Sequence, residues 1–221
     1  FVASDVPAIL EYTNRVVYLH DGDTVVLTRD SYEIYKDGKR VNREVEIVPW
    51  SVEQAEKGGF EHFMLKEIHE TPKVIEDTLL EYVSDKIELD VGFTAGISDV
   101  IFVACGTSYH ASLIGKYLIE KLDEIPVRVE YASEFNYHNA PLSRSLVIGI
   151  TQSGETADTL EALRKAQKFD ARTLAITNVL GSSVTRIADV ILYTRAGPEI
   201  CVAATKTFIA QLIVLYVIAL R

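Results

Sequence analysis

The stretch DVIFVACGTSYHASLIGKYL, Asp99 to Leu118, decides the fold. It opens with an apolar run, DVIFVAC, breaks at Gly-Thr-Ser, and continues as a helix that places Ala111, Ile114, Leu118 and Leu122 on one face. A strand that is apolar throughout, instead of alternating, needs cover on both of its faces. The same unit recurs downstream. VRVEYA is a second run, RSLVIGI a third with a helix after TQSG, RTLAITN a fourth with a short helix after GSS, and DVILYT a fifth with a long helix beginning near Ala203. Strands that alternate with helices in this way predict an α/β fold, a doubly wound parallel five-stranded sheet from about Thr71 to Arg221.

Upstream of this region the rhythm is different. Between Thr13 and Val48 the runs are short and β-rich: RVVYLHDGDTVVLTR pairs two of them across Asp21-Gly22, and YEIYKDGKRV repeats the device at Asp37-Gly38. A small antiparallel β-rich region is expected there. Residues from Pro49 to Gly59 read as a linker, and the helical stretch that follows is expected to break near Pro72. The chain therefore divides into a unit over 1–59 and a unit over 60–221, the second carrying its own leading helices.

Bulk composition narrows the function. The chain has 221 residues, 48% of them hydrophobic, and a formal net charge of -10 without a concentrated basic patch, which argues against nucleic acid and anionic membrane as partners. Two cysteines make no disulfide framework, and the lack of a signal-peptide pattern points to a reducing cytoplasm. FIAQLIVLYVIAL, Phe208 to Leu220, is shorter than the roughly 20 residues a bilayer crossing needs, so it reads as a buried helix or one awaiting a partner. A start at Phe1 and a stop at Arg221 directly after that helix read as the ends of an excised piece.

In doubly wound folds ligands sit beyond the carboxyl ends of the strands, where neighbouring crossovers leave for opposite faces. With the first strand beside the third, CGTS and TQSGET flank one crevice. The second loop offers the hydroxyls of Thr151, Ser153 and Thr156, the amide of Gln152, and Gly154, all at a helix N-terminus; the first repeats the chemistry with Gly106, Thr107 and Ser108. Together they describe a pocket for one phosphate group held by neutral donors. The competing reading makes the hydroxyls helix caps and the glycines turns. A P-loop is excluded because neither loop contains G-x-x-x-x-G-K, and a dinucleotide fingerprint because G-x-G-x-x-G follows none of the strands. Ser153 as a hydrolase nucleophile fits poorly, since Thr151 and Glu155 stand where G-x-S-x-G needs its glycines.

Other reactive side chains read as structural. Cys105 and Cys201, at strand ends, are expected to be buried bystanders. His62 and His69 are seven apart, without the i, i+4 spacing of a zinc site, and are expected to contact the β region; no metal and no cofactor is expected. Lys206 is expected to reach substrate or a neighbouring carboxylate, with a solvated lysine as the competing reading.

ACGTSYHA, TQSGETADTLEALR, NVLGSSVTRIAD and AGPEICVAATKTF closely resemble the first sugar-isomerase lobe of the glutamine:fructose-6-phosphate aminotransferases. FVASDVPAIL, the DGD turn and HFMLKEIHETP resemble the end of that family's glutaminase domain and the linker behind it. The resemblance implies a reaction in which ammonia from glutamine is passed to fructose 6-phosphate and the ketose is isomerised to glucosamine 6-phosphate. It also implies that Ser108, Thr151, Gln152, Ser153 and Thr156 hold the sugar phosphate and that Val202 and Ala204 lie near the sugar ring. Thr151 and Ala204 both stand where the family usually has serine. The family's nucleophilic cysteine and its second lobe, with the acid/base groups, have no counterpart here, so no catalytic residue is assigned and the piece is expected to bind without completing either half reaction. A homodimeric parent is implied, and the last helix is expected to pack on that missing lobe or on a second subunit. A stand-alone regulatory sugar-phosphate-binding module and a purely structural piece are the alternatives.

Overall fold

The computed structural model describes all residues except 5, 51–55, 85–86, 88–91 and 138–140. Five parallel strands form the main sheet: β6 (Asp99–Ala104), β7 (Val127–Tyr131), β8 (Ser145–Ile150), β9 (Arg172–Thr177) and β10 (Val190–Tyr193), in the order β10-β9-β8-β6-β7. Helices α1 (Phe63–Tyr82), α2 (Gly106–Leu122) and α5 (Lys206–Ala219) cover one face, and α3 (Ala132–Phe135) and α4 (Ala157–Lys168) the other. The strands are apolar throughout because each feeds two cores. In β6, Val100, Phe102 and Ala104 join the cluster under α1, α2 and α5, whereas Ile101 and Val103 join the cluster under α4; β8 divides in the same way between Leu146, Ile148, Ile150 and Val147.

Register places the polar loops. β6 pairs with β8 along its whole length, Asp99 opposite Ser145 and Ala104 opposite Ile150, so the loops after both strands leave the sheet side by side. α2 departs to one face and α4 to the other, which makes this the switch point of the sheet. At the opposite end of the same pair, Asp99 accepts hydrogen bonds from Ser145 Oγ (2.7 Å), Arg128 Nη2 (3.1 Å) and Ser98 Oγ (3.2 Å). Burial alone would push the Asp99 carboxyl up, but these bonds outweigh it and hold the group below its usual value. A depressed carboxyl contributes stability above its unfolded pKa, and that contribution is lost as pH falls through the folded value. Ser145→Ala should therefore move the acid-unfolding midpoint, followed by circular dichroism, to higher pH.

α2 buries Ser108, Ala111, Ser112, Gly115 and Ile119. Ala111 is on the expected face, but Leu122 is half exposed, because the helix turns its small side chains to the sheet and to α5. The last helix starts at Lys206, not Ala203. It buries Ala210, Gln211, Val214, Leu215 and Val217, largely against α1 and α2, so this apolar helix is mostly covered within the chain; Tyr216 and Leu220 stay exposed. No helix among the described residues is long and apolar enough to cross a membrane.

α1 runs unbroken through Pro72, against expectation. Proline in a helix frees the carbonyl four residues earlier. Here that residue is Ile68, about half exposed, where water can take over, while Val74 on the opposite side locks the helix onto Ala196 and Ala210. His69 stacks on Phe60 with ring centroids 5.2 Å apart, and His62 is an exposed residue beside Glu61, so neither makes the expected contact with the β region.

The upstream sheets are β2 (Asp23–Leu27), β3 (Tyr32–Lys36) and β4 (Lys39–Val41), with a separate pair of β1 (Arg15–Val16) and β5 (Glu46–Ile47). Asp37 and Gly38, both at positive φ, close the β3–β4 hairpin as expected. Asp21-Gly22 does not close one. β1 pairs with β5 so that Val16 joins Val6, Val48 and Val179 in a small core, and β2 pairs with β3 across a four-residue loop instead. The Asp21-Gly22 turn is held by Asp23, which accepts from the His20 N–H (2.9 Å) and takes a bidentate contact from Arg43 at 2.9 and 2.8 Å. Part of the expected linker, residues 51–55, lies outside the described residues.

Candidate functional site

A cavity of about 230 Å³ opens at the switch point. Thr107 and Ser108 enter it from the first turn of α2; Thr151, Gln152, Ser153 and Thr156 come from the loop between β8 and α4. The remaining wall is the segment before α5, with Glu199, Cys201, Val202 and Ala204. Eight of the ten residues singled out in the sequence, all but Gly106 and Gly154, thus line one cavity.

The hydroxyls are not caps. Cys105 at the start of α2 and Thr156 at the start of α4 make no side-chain capping bond, so the first N–H groups of both helices, whose starts border the cavity, receive no acceptor from the cap residue. The loop is held instead by bonds among its own side chains. Thr151 Oγ1 lies 3.0 Å from Thr156 Oγ1 and accepts the Gly154 N–H at 3.2 Å, while Ser153 Oγ accepts the Glu155 N–H at 3.1 Å. Among the described residues no lysine or arginine lines the cavity, and the one carboxylate that does, Glu199, is bonded to the start of α5. Glu199 accepts the Thr205 and Thr207 N–H groups at 2.9 and 3.3 Å and the Thr207 hydroxyl, which caps α5 from seven residues upstream.

The two glycines serve the walls. Gly154 sits at φ +72°, and a Cβ there would come within 2.0 Å of Ser182 Oγ, so its role is to let the loop lie against the segment after β9; its N–H is spent on Thr151 and does not face a ligand. Gly106, at φ +56°, has open space where its Cβ would be, and only its backbone conformation calls for glycine.

The segment after β10 is fastened from α1. Glu67, 2% exposed, accepts the Ile200 and Cys201 N–H groups on one oxygen at 2.7 and 3.1 Å. Lys206, 3% exposed and so not a solvated lysine, reaches Glu70 at 2.7 Å, the expected neighbouring carboxylate. Cys105 and Cys201 are half-buried members of the cavity wall, not buried bystanders. Glu199, Glu67 and Gln211, which donates to Ser108 Oγ at 3.0 Å, were not legible as site residues in the sequence.

A larger cavity, about 560 Å³, lies on the other side of Ser153, between the N-terminal segment and the small β sheets. Its wall is mostly Val, Leu, Ile and aromatic side chains, without the convergent donors of the smaller one.

Residues 96–221, more than half of the chain and including every residue of the smaller cavity, match the family described as SIS domain. The chain belongs to the SIS domain family. Full-length relatives of this SIS domain chain carry a further name. It is 51% identical, over 100% of its own length, to a glutamine--fructose-6-phosphate aminotransferase [isomerizing] of Clostridium tetani, and 56% identical over 99% to one of Methanothermobacter thermautotrophicus. It spans only 38% and 37% of those two relatives. Among solved structures, the C-terminal domain of glucosamine-fructose-6-phosphate aminotransferase from Francisella tularensis superposes with a TM-score of 0.71 at 43% identity, covering 75% of this chain and 48% of that one.

Proposed function

We propose that this chain is the sugar-phosphate-binding part of an enzyme that makes glucosamine 6-phosphate from fructose 6-phosphate and glutamine. The observation that carries the reading is the convergence of two helix N-termini without side-chain caps and five hydroxyl or amide side chains, Ser108, Thr151, Gln152, Ser153 and Thr156, on one cavity lined by no lysine or arginine among the described residues. Such a site suits a phosphate monoester: its oxygens accept several hydrogen bonds at once, and the helix dipoles favour its charge. Neutral donors suit a ligand that must also leave, since a lysine or arginine would add a charge-assisted bond about twice as strong as a neutral one. Thr107 borders the phosphate end, Gly106 and Gly154 shape the loops behind it, and Val202 and Ala204 face the sugar ring.

The part of the reaction carried here is binding. Glu199 is committed to α5, which leaves no free carboxylate in the cavity wall among the described residues, and we assign no catalytic residue and no cofactor to this chain. We further propose a division into residues 1–59 and 60–221, a homodimeric parent and a cytoplasmic setting, with neither nucleic acid nor membrane as partner.

Calorimetric titration with fructose 6-phosphate, glucosamine 6-phosphate and a nucleotide tests the reading. Both sugar phosphates should bind, and Ser153→Ala or Thr156→Ala should weaken them about 10-fold or more, the scale of one hydrogen bond to an ionised group. Binding of the nucleotide alone, or equal affinity in the variants, would remove the assignment.

A further inference from the structure

Gln211 is the one amide or charged side chain between Phe208 and Leu220 of an otherwise apolar helix. It is 3% exposed, its Nε2 donates to Ser108 Oγ at 3.0 Å, and its Oε1 has no hydrogen-bond partner among the described residues. A buried amide with one end unpaired is destabilising relative to a leucine of similar size. Packing therefore does not account for this side chain. The single bond it makes ends on a hydroxyl of the cavity wall, and that is where its effect must be felt.

A serine hydroxyl has one proton and two acceptor sites. The Gln211 N–H occupies an acceptor site of Ser108 Oγ, and an amide N–H cannot take a proton in return. Ser112 Oγ bonds the Ser108 carbonyl at 2.9 Å and leaves the hydroxyl alone. Glu199, the one carboxylate of the wall among the described residues, is taken up by Thr205 and Thr207. The Ser108 proton is left to point into the cavity.

We propose that Gln211 is a positioning residue that fixes the polarity of Ser108, making that hydroxyl a donor to the phosphate of a bound sugar phosphate. The proposal rests on the sugar-phosphate reading of the cavity and adds to it a residue that touches no ligand. It also assigns Ser108 a defined direction: a serine held this way gives a proton to an ionised oxygen and takes none.

The test is calorimetric titration of the 221-residue chain with fructose 6-phosphate and with inorganic phosphate, which reports on the anion end alone. Gln211→Met, similar in volume, should weaken both probes, and it should add nothing in a Ser108→Ala background. Gln211→Glu should weaken both further, on the order of 10- to 100-fold, because a carboxylate can only accept and draws the Ser108 proton away from the ligand. Repeating Gln211→Glu in Ser108→Ala keeps the added charge and removes the proton, so the deficit should shrink. Relative to wild type it should also shrink as pH is lowered towards about 5, where a buried carboxyl regains its proton and can donate again. Thermal unfolding checks that each variant folds; if Gln211→Met does not, the Gln211→Glu comparison decides alone. Gln211→Glu binding as tightly as wild type would overturn the proposal, as would equal losses from Gln211→Met with and without Ser108. Wild type that binds neither probe would overturn the sugar-phosphate reading and this proposal with it, whereas wild type that binds while the variants match it overturns this proposal only.

Discussion

Gly154→Ala should be among the most damaging single-methyl additions in this chain, lowering stability by about 2–5 kcal/mol. Two penalties add. A left-handed backbone at φ +72° costs an L side chain roughly 1–2 kcal/mol, and the new Cβ would lie 2.0 Å from Ser182 Oγ and 2.5 Å from its Cβ, contacts that force the loop off the segment after β9. For a domain of this size the thermal midpoint should fall by roughly 5–15 °C. Gly106→Ala is the control, since its Cβ would meet nothing within 4 Å and only the backbone penalty applies. Ser182→Gly should recover the steric part of the Gly154→Ala loss and leave the rest. Thermal melts of the four chains measure both parts, and equal losses at Gly106 and Gly154 would mean that the close approach to Ser182 has no energetic weight. Binding should suffer along with stability in Gly154→Ala, because its N–H holds Thr151 Oγ1 in the cavity wall.

Glu67→Leu should cost about 2–4 kcal/mol by leaving the Ile200 and Cys201 N–H groups without their acceptor in a part-buried segment. Glu67→Gln keeps an acceptor oxygen at the same place and should lose far less. Hydrogen exchange gives the local reading: the amides of Ile200 and Cys201 should lose protection in Glu67→Leu and keep most of it in Glu67→Gln. Affinity for fructose 6-phosphate should follow the amides, since Cys201, Val202 and Ala204 form the wall that this carboxyl group anchors. Protected amides in Glu67→Leu would show that the segment holds its shape without α1.

The parallel sheet was legible because burial on both faces leaves a mark that needs no partner to interpret. DVIFVA and SLVIGI are apolar at nearly every position, and each Val, Ile, Leu, Phe and Ala in them finds one of two cores. The hydroxyl-rich loops were legible for a related reason, since the end of an apolar strand fixes where the next loop must emerge. β1 was misread because its pairing is decided by distant residues: Val16 is drawn towards Val48 and Val179, and nothing between Arg15 and Leu27 announces it. Pro72 misled because a local rule about proline says nothing of the water available at Ile68 or the packing at Val74. Glu67 and Gln211 reach the cavity across 133 and 103 residues of sequence, and at their own positions they look like an ordinary helix glutamate and a stray polar residue.

The SIS domain match starts at residue 96, yet the helix that fastens the cavity's third wall, Phe63–Tyr82, lies before it. Along α1, Glu67 bonds Ile200, Glu70 bonds Lys206, Thr78 and Glu81 both bond Arg195, and Tyr82 bonds Tyr193, so the helix holds the chain at points from the end of β10 to the start of α5. The helix is a splint laid along the one cavity wall that belongs to neither polar loop. Because Glu67 of this helix accepts the Ile200 and Cys201 N–H groups, unwinding its first turns would release the rim of the cavity at Cys201.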